Sequence, residues 1–334
     1  MDTQLSRSIG TQGRVLRELA ASSFPEQSTM LAAARRILLV GTGTSYHAAR
    51  LGAWHLRHRG IEAVAISSLE QARWEPEAGV GDAMIVISHT GQTAYSLSVR
   101  QRALTADTPL VTVTGADANW PEAIIASPKE TTDTYTVSYL GTLAVIARLA
   151  DGIAAARGDA AAEERGTRML LDSAARVESA IARPDIAHIA PPQRAAVLVG
   201  TGPWAITAAE GALKLREAAR VLSEAYDAET LLHGSAVPLL SADTLIALQP
   251  ATDPDGLVDG IAAAAHAEGI TVATIEDPEP ASDPFYAQFA LTVRLQWLAA
   301  HFAERRGQNP DEPIVGCWGA DSLWNAGRPV VALR

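Results

Sequence analysis

The chain is poor in cysteine and in lysine, and each shortage narrows what it can be. Its 334 residues include one cysteine, Cys317, which excludes an intrachain disulfide framework and a cysteine-rich zinc module. Of the 27 basic residues two are lysine, Lys129 and Lys214. Because arginine serves at nearly every other basic position, each lysine is a candidate for a role that needs an ammonium group.

Positive net charge and long apolar runs are also lacking. The net charge of −11 argues against general binding to nucleic acids or anionic membranes. The N-terminus carries an early acid, Asp2, and lacks the apolar run of a signal peptide. The longest apolar stretch, 139–156, is interrupted by Arg148 and Asp151, so it predicts a buried or amphipathic helix. We therefore expect a cytoplasmic protein with no nucleic-acid partner and no membrane partner.

What the sequence does contain is a repeated strand-and-turn pattern. An apolar run ending in Gly-Thr-Gly occupies 36–43 and recurs at 195–202. Helix-like stretches follow at 45–59 and 205–225. A buried strand that leads through a glycine turn into a helix is the opening unit of a parallel α/β sheet. Further buried strands are predicted at 62–67, 83–88, 110–114, 244–249 and 271–275.

This pattern predicts an α/β fold with two similar doubly wound domains, each with a parallel sheet. We expect an N-terminal helical arm at 1–28, a first domain at 29–165 and a second domain at 166–334. A charged helix at 160–181, followed by several prolines, marks the region of the boundary. An amphipathic helix is predicted at 2–21, outside the first domain, and dimerisation is one role open to it.

Hydroxyl groups are concentrated in two of the predicted strand-to-helix turns. The carboxyl ends of parallel strands share one edge of a sheet, where ligands bind in such folds, and helix N-termini favour anions. Helix capping explains one hydroxyl per turn but not three. We therefore favour a phosphate or phosphosugar site over plain capping. The hydroxyls belong to Thr42, Thr44 and Ser45 in the first turn, and to Ser88, Thr90 and Thr93 in the second.

A dinucleotide site is an alternative for the first turn, which begins like a glycine-rich fingerprint. That fingerprint needs a small residue where this chain has Tyr46, and an acid where the second strand ends at Ser67. We therefore expect no dinucleotide and no other cofactor. His55 and His58 share one helix without a third ligand nearby in the sequence, so no metal site is predicted.

Four motifs together resemble those of the sugar isomerase (SIS) domain family. The similarity covers about 30–313 and is to the two-domain type, as in the isomerase half of glutamine–fructose-6-phosphate amidotransferase and its deaminase and deglycase relatives. It implies the SIS fold, a phosphosugar substrate and a homodimer. The motifs are Gly43-Thr44-Ser45-Tyr46-His47, Ser88-His89-Thr90-Gly91-Gln92-Thr93, Glu210-Gly211-Ala212-Leu213-Lys214-Leu215-Arg216-Glu217 and Leu232-His233-Gly234.

The resemblance implies which side chains hold the phosphosugar. His89 would lie at the edge of the phosphate site, Thr134 would line the sugar pocket, and Glu130 matches an acidic position before the helix that closes the first domain. The usual Ser-x-Ser-Gly-Glu-Thr is here Ser-His-Thr-Gly-Gln-Thr. The hydroxyls are kept, so phosphate binding is expected, whereas contacts at the sugar end are expected to differ. The implied phosphate ligands are Thr44, Ser45, Ser88, Thr90 and Thr93.

Moving a carbonyl between neighbouring carbons of an open-chain sugar requires an acid–base group. Glu210, Lys214 and Glu217 are spaced to share a helix face, and spacing alone favours ordinary surface ion pairs. The scarcity of lysine and the resemblance favour a catalytic role instead. By resemblance Glu217 matches the general base of the family. His233 matches the histidine that assists ring opening and that reaches the active site of the partner subunit.

Two catalytic residues of the amidotransferases, a cysteine and a lysine, have no counterpart in this sequence. No N-terminal cysteine is present for glutamine hydrolysis, so we expect no glutaminase activity. No lysine follows Pro313, where the family carries the lysine that forms a Schiff base with the ketose. Arginine cannot replace it, because arginine does not deprotonate to a nucleophile. Ordinary packing is expected of the other notable residues in this tail, Cys317, Trp318 and Trp324.

These features predict a phosphosugar-processing enzyme that works by acid–base chemistry. The reaction would be that of an aldose–ketose isomerase, or of a deaminase or deglycase acting on an amino-linked hexose 6-phosphate. Glu217 would shuttle the proton, His233 would open the ring, and Lys214 would position or polarise the substrate. The alternative is a non-catalytic sugar-phosphate sensor, which the missing lysine favours and the retained Glu217 and His233 oppose.

Overall fold

The computed structural model describes residues 2–250, 253, 255–276, 283–316 and 319–320. These residues fall into two units, each built on one parallel sheet. The five-stranded unit comprises 14–131, 137–171 and the described residues after 313. The four-stranded unit comprises 2–13, 132–136 and the described part of 172–313. The domain boundaries predicted at 28/29 and 165/166 stay predictions.

Helices and strands alternate along most of the chain. In chain order they are α1 (Gln4–Ala20), α2 (Pro25–Ala32), β1 (Arg36–Gly41), α3 (Thr44–His58), β2 (Ala63–Ser67), α4 (Ser68–Arg73), β3 (Asp82–Ile87), α5 (Ala94–Thr105), β4 (Leu110–Gly115), β5 (Ile124–Ser127), α6 (Val137–Ala156), α7 (Ala162–Ala182), β6 (Ala195–Gly200), α8 (Pro203–Ala219), β7 (Leu222–Asp227), α9 (Ala228–Thr230), a π-helical turn (Leu231–Ser235), β8 (Thr244–Leu248), α10 (Leu257–Ala267), β9 (Thr271–Ile275) and α11 (Pro284–Arg305). The exceptions to the alternation are the consecutive pairs α1–α2, β4–β5 and α6–α7, and the π-helical turn that follows α9.

The sheet of the five-stranded unit has the order β2-β1-β3-β4-β5 and is parallel throughout. Its central strands β1 and β3 are buried along nearly their whole length, as expected for strands covered on both faces. In the four-stranded unit the order is β7-β6-β8-β9, again parallel. The predicted α/β fold with two parallel sheets is therefore confirmed. Helix α1 occupies most of the predicted N-terminal helix.

Helix α6 is the core helix of the five-stranded unit. Among the described residues it is the only helix long and apolar enough to cross a membrane, judged by length and composition. Every side chain from Val137 to Ile153 is buried in the structure, and the core helix of a soluble protein passes the same test. Arg148 and Asp151, which interrupt the apolar stretch, form a buried ion pair with a distance of 3.1 Å. The prediction of a buried helix here is confirmed.

The helix predicted at 205–225 is too long at its C-terminal end. Helix α8 stops at Ala219, and Arg220 takes a left-handed conformation with φ of 51°. The next residues form β7, which pairs with β6 at the edge of the sheet. An edge strand is exposed on one side and so lacks the continuous apolar run of a buried strand. For this reason Leu222–Asp227 was not predicted as a strand. The four-residue strand β5 was also not predicted.

Candidate active site

The first hydroxyl-rich turn connects β1 to α3 in the five-stranded unit. Gly43 is the N-cap residue of α3 and has φ of 54°, a backbone conformation that residues with a side chain rarely adopt. Backbone hydrogen bonds close the turn, from the amide of Ser45 to the carbonyl of Thr42 (3.0 Å) and from the amide of Tyr46 to that of Gly43 (2.9 Å). The turn therefore has a fixed shape, and it places Thr44 and Ser45 in the first turn of the helix.

The second turn connects β3 to α5 in the same unit. Ser88 is 2% exposed, and its hydroxyl lies 3.4 Å from that of Thr93. The hydroxyl of Thr90 accepts a hydrogen bond from the amide of Gln92 (3.2 Å). Gly91 has φ of 66°, and a Cβ there would lie 2.9 Å from Nε1 of Trp120. Only glycine fits this position without strain, so the turn is held close to the segment after β4.

Capping does not account for the hydroxyls of these turns. The N-cap residue of α3 is Gly43, which has no side chain. Thr93 is the N-cap residue of α5, yet among the described residues its side chain accepts no capping hydrogen bond. By contrast, Ser67 caps α4 by accepting from the amide of Glu70 (3.2 Å). The interpretation that these hydroxyls are ordinary helix caps is therefore not supported by the structure.

The two turns meet at one small cleft of the five-stranded unit. Thr44 and Ser45 from the first turn and His89 from the second line it together. The remaining predicted phosphate ligands, Ser88, Thr90 and Thr93, are on the second turn but do not line this cleft as described. Five further residues line it that were not predicted from the sequence: Ala48 on α3, Thr114 at the end of β4, and Ser138, Tyr139 and Thr142 on α6.

His89 is held between its turn and the end of β4. Its carbonyl accepts a hydrogen bond from the amide of Gly115 (2.8 Å), and a Cβ on Gly115 would lie 2.3 Å from the ring. Burial lowers the pKa of His89 below its usual value, while the negative charges of Glu130 and Asp117 act in the opposite direction. His89 is therefore disposed to be a neutral imidazole at the edge of the cleft.

Glu130 and Thr134 take part in internal hydrogen bonds. The carboxylate of Glu130 accepts from the amides of Ser138 (2.9 Å) and Val137 (3.2 Å) in the five-stranded unit, and so caps the N-terminus of α6. Thr134 belongs to the four-stranded unit, where it is fully buried and its hydroxyl donates to the carbonyl of Pro310 (3.2 Å). A role of Thr134 in sugar binding stays a prediction.

The acid–base candidates lie on α8 in the four-stranded unit. The ammonium Nζ of Lys214 is 2.6 Å from Oε2 of Glu217 and 3.5 Å from Oε1 of Glu210. The side chains of Lys214 and Glu210 are each 1% exposed, and that of Glu217 is 27% exposed. The interpretation as ordinary surface ion pairs is therefore wrong. Spacing could not reveal this, because the same spacing occurs on buried and exposed helix faces.

Glu217 is the member of this group that solvent can reach. Burial raises the pKa of Glu217 above its usual value, the positive charge of Lys214 lowers it, and the negative charge of Glu210 raises it further. A raised pKa suits a carboxylate that must accept and return a proton. Lys214 thus favours the charged form of Glu217, which burial disfavours.

His233 lies in the π-helical turn after α9 in the four-stranded unit. Its Nδ1 is 2.8 Å from the carbonyl oxygen of Glu229. Because a carbonyl only accepts, Nδ1 carries the proton, which leaves Nε2 as the acceptor in the neutral ring. Gly234 follows with φ of 109°. His233 is exposed, and so are the nearby apolar side chains Leu232, Val237 and Leu240.

Two other sequence-based predictions concern metals and the tail. In the part of the chain that the structure describes, no group of three or more His, Cys, Asp or Glu side chains is arranged to hold a metal ion. The absence of a metal or a cofactor from the mechanism stays a prediction. Of the tail residues predicted to pack, Cys317, Trp318 and Trp324 lie outside the described residues.

Comparison with known proteins agrees with the fold and the turns. Residues 30–148, which include both hydroxyl-rich turns, match the SIS domain family. These residues therefore match a SIS domain, and over this range the resemblance noted from the motifs is confirmed.

The chain is also similar to curated enzymes. It is 27% identical over 309 residues to the glutamine–fructose-6-phosphate aminotransferase [isomerizing] of Caulobacter vibrioides, covering 83% of this chain and 50% of that protein. It is 28% identical over 309 residues to the enzyme of the same name from Thermococcus kodakarensis, with 83% and 50% covered. The chain thus spans about half the length of these relatives, and its homologues are the isomerase half of that enzyme.

Solved structures share the fold over nearly the whole chain. The C-terminal domain of glucosamine-fructose-6-phosphate aminotransferase from Francisella tularensis gives a TM-score of 0.77 at 18% identity, covering 93% of this chain and 98% of that one. Glucosamine-6-phosphate deaminase from Thermotoga maritima gives 0.72 at 18% identity, with 93% and 97% covered. Tagatose-6-phosphate ketose/aldose isomerase from Escherichia coli gives 0.75 at 16% identity, with 96% and 98% covered. At these identities the likeness shows a common fold.

Proposed function

We propose that the protein is a phosphosugar-processing enzyme that works by acid–base chemistry. The substrate is a hexose 6-phosphate, free or amino-linked, and the reaction is an aldose–ketose isomerisation, or a deamination or deglycation that proceeds through the same proton shift. The observation that carries the proposal is the buried ammonium of Lys214, which lies 2.6 Å from the partly exposed carboxylate of Glu217. An ion pair of this kind keeps a base charged where it would otherwise be protonated.

The hydroxyl-rich turns supply the phosphate site of this proposal. Their side chains are neutral donors at two helix N-termini, which favour anions through free amides and the helix dipole. The predicted ligands are Thr44, Ser45, Ser88, Thr90 and Thr93, with His89 beside them. We retain Thr134 as a predicted sugar contact.

Glu217 takes a proton from the carbon next to the carbonyl and returns it to the neighbouring carbon. The number of protons on the sugar is unchanged, so no redox partner is required. Lys214 stabilises the carboxylate form of Glu217. In a deaminase or deglycase the substrate brings its own nitrogen, so no imine to the protein is needed. The proton shift converts the amino-linked sugar into its own imine, and water hydrolyses that C=N bond to a carbonyl with release of ammonia or the amine. The 334 residues contain no lysine after Lys214 and one cysteine, Cys317, and the proposal includes neither a Schiff base in the tail nor glutamine hydrolysis.

His233 acts in this proposal as the ring-opening group of the partner subunit in a homodimer. Its exposed ring presents Nε2 as an acceptor, because Nδ1 is hydrogen-bonded to the carbonyl of Glu229. The exposed apolar side chains around it, Leu232, Val237 and Leu240, are suited to an interface with a second copy. The prediction of a cytoplasmic location belongs to the same proposal.

The substrate class is tested first by thermal-shift measurements with hexose, hexosamine and fructosamine 6-phosphates. Each stabilising compound is then followed by NMR for conversion. Replacing Glu217 by Gln removes the proton acceptor, so we expect turnover to fall by about 10²–10⁴-fold with little change in the affinity for the substrate. Glu164→Gln, an exposed carboxylate on α7, is the matched control and should be fully active. Intact turnover in Glu217→Gln would rule out this mechanism.

Two further outcomes decide between the proposal and its rival. Binding of a phosphosugar by the wild-type protein without any conversion would establish the sensor instead. The absence of a shift with every phosphosugar would exclude both the enzyme and the sensor.

The contribution of His233 is tested by mixing two inactive variants, Glu217→Gln and His233→Ala. If both residues of a site came from one subunit, every site in a mixed dimer would lack one of them. If His233 is supplied by the partner, one site of each mixed dimer has both residues, and activity returns on mixing. Activity that stays absent after subunit exchange has been verified by mass spectrometry would show that His233 does not act across the interface.

A further inference from the structure

Thr114 lines the cleft of the five-stranded unit, although it belongs to none of the sequence motifs described above. It is the last threonine of β4 and lines the cleft with Thr44, Ser45 and His89. The position is fixed by the backbone, because the amide of the next residue, Gly115, donates to the carbonyl of His89 (2.8 Å). The end of β4 is therefore held against the second hydroxyl-rich turn.

The hydroxyl of Thr114 is buried and lacks a hydrogen-bond partner. Thr114 is 2% exposed, and its Oγ1 has no partner within the described ranges. Buried polar side-chain atoms in proteins are hydrogen-bonded in the large majority of cases, because an unpaired one destabilises the fold. A hydroxyl left unpaired beside a cleft that opens between two ligand-binding turns calls for a partner from outside the protein.

Another threonine of the same strand shows the contrast. Thr112 lies two residues earlier, so its side chain points to the same face of β4. It is fully buried, and its hydroxyl donates to Oε1 of Glu122 (3.2 Å). A threonine hydroxyl on this face of β4 is therefore hydrogen-bonded where a protein acceptor lies close enough. At Thr114, which adjoins the cleft, that partner is missing among the described residues.

The other side of the cleft is polar but uncharged. Ser138 and Thr142 line it from α6, and their spacing of four residues places them on one face of the helix. No Asp, Glu, Lys or Arg is among the described lining residues. A ligand of this cleft is therefore held by hydroxyl groups and backbone amides, and phosphate oxygens accept hydrogen bonds from both.

We propose that Thr114 is a further phosphosugar-binding residue, whose hydroxyl donates a hydrogen bond to a phosphate oxygen held by Thr44 and Ser45. This inference rests on the proposed function, which supplies the phosphosugar. It adds a contact from β4 to the contacts from the two turns.

The test uses three variants and three probes. Thr114→Val removes the hydroxyl and keeps the shape, and Thr114→Ser keeps the hydroxyl. Thr292→Val is the matched control: Thr292 on α11 is 1% exposed and its hydroxyl also has no partner in the described chain, but it does not line this cleft. Fructose 6-phosphate, glucosamine 6-phosphate and inorganic phosphate are titrated calorimetrically, and the Tm of each ligand-free variant is measured.

We expect Thr114→Val to weaken binding at least about tenfold, which corresponds to about 1.4 kcal/mol. Thr114→Ser and Thr292→Val should bind as the wild type does. The Tm of ligand-free Thr114→Val should be unchanged or higher, because the substitution removes a buried hydroxyl that is unpaired without ligand. Weaker binding without loss of stability is a combination that a structural threonine would not produce.

Each contrary result has a definite meaning. Unchanged binding by Thr114→Val, with the wild type binding a probe, overturns this inference and leaves the proposed function standing. A lower Tm in the ligand-free Thr114→Val protein, or equal loss of binding in Thr114→Ser, also overturns it, because the hydroxyl would then not be the ligand contact. If the wild-type protein binds a fructosamine 6-phosphate but none of the three probes, the variants are titrated with that compound instead. If it binds no phosphosugar and no phosphate, both the inference and the proposed function are wrong.

Discussion

Replacing Lys214 by Met should destabilise the protein far more than the loss of an ordinary ion pair. The substitution keeps most of the side-chain volume and removes the ammonium group. In the wild-type protein that group lies between the carboxylates of Glu217 (2.6 Å) and Glu210 (3.5 Å). The substitution therefore takes a positive charge away from a carboxylate that is 1% exposed and from another that is 27% exposed.

The size of the effect follows from this burial. Breaking a buried ion pair by removing one partner costs about 3–5 kcal/mol, because the remaining charge is left uncompensated. Exposed pairs contribute about 0.2–1 kcal/mol. We therefore expect Lys214→Met to lower the free energy of unfolding at pH 7 by about 3–5 kcal/mol, a large part of the 5–15 kcal/mol typical of a protein domain.

The loss should become smaller as the pH falls. Burial already raises the pKa of Glu217, and Lys214 opposes that rise, so removing Lys214 raises the pKa further. A carboxyl group whose pKa is higher in the folded state binds more protons there than in the unfolded state. Stability then increases as the pH falls from the raised value towards the ordinary value near 4.5. In the variant this recovery should be larger than in the wild type.

The assay is urea denaturation followed by circular dichroism between about pH 5 and pH 8. Arg14→Met is the matched control, because Arg14 forms an exposed i,i+4 pair with Glu18, and it should change stability by under about 1 kcal/mol. The double variant Glu210→Gln/Lys214→Met removes one of the stranded charges and should recover part of the loss. A Lys214→Met protein as stable as Arg14→Met, with the same pH dependence as the wild type, would refute the buried-ion-pair argument.

Two further predictions concern the acid–base group and the second turn. In the pH dependence of kcat/KM, the acidic limb should lie above the ordinary carboxyl pKa of 4.5, because burial raises the pKa of Glu217. Glu210→Gln should move this limb to lower pH, because the negative charge of Glu210 raises the pKa of Glu217. A limb that does not move in a pH–rate profile would mean that Glu217 is not the titrating base. Gly91→Ala should lower both the Tm and the affinity for phosphosugar, because the left-handed conformation costs about 1–2 kcal/mol with a side chain and the new Cβ would lie 2.9 Å from Nε1 of Trp120. Calorimetry measures both quantities, and an unchanged protein would show that the turn relaxes freely.

The parts of the fold that could be predicted from the sequence are those where the pattern is local. A buried parallel strand is a short apolar run, so β1, β3 and β6 were predicted close to their observed bounds. In the edge strand β7 Ser223 is the one buried residue, and the others, Glu224 among them, are exposed or half-buried. Its pairing with β6 is a tertiary effect, and local propensity gives no reason to end α8 at Ala219 instead of continuing it.

The same distinction applies to the site. The hydroxyls of Thr44, Ser45 and Ser88 stand in short, recognisable turns, and adjacency along the chain is enough to find them. Thr114, Ser138 and Thr142 join the cleft from elements distant in sequence, and a single threonine at a strand end carries no local signal. One sign was available: the spacing of Ser138 and Thr142 puts two hydroxyls on one face of an otherwise apolar helix.

The cleft residues and the acid–base residues of α8 differ in whether they place charged side chains in a buried environment, and this difference bears on function. Among the described residues, the cleft of the five-stranded unit is lined by side chains other than Asp, Glu, Lys and Arg. A phosphate bound there would carry the charge itself, and the protein would contribute hydrogen-bond donors and dipoles. On α8, by contrast, the protein itself carries the charged groups, on Glu210, Lys214 and Glu217, and these side chains are buried or partly buried. A buried ion group is weak as a source of stability, since apolar residues of similar volume are often as good or better. In a chain with two lysines, the proposed role of Glu217 as a proton acceptor therefore accounts for this buried group better than a contribution of the ion pair to stability does.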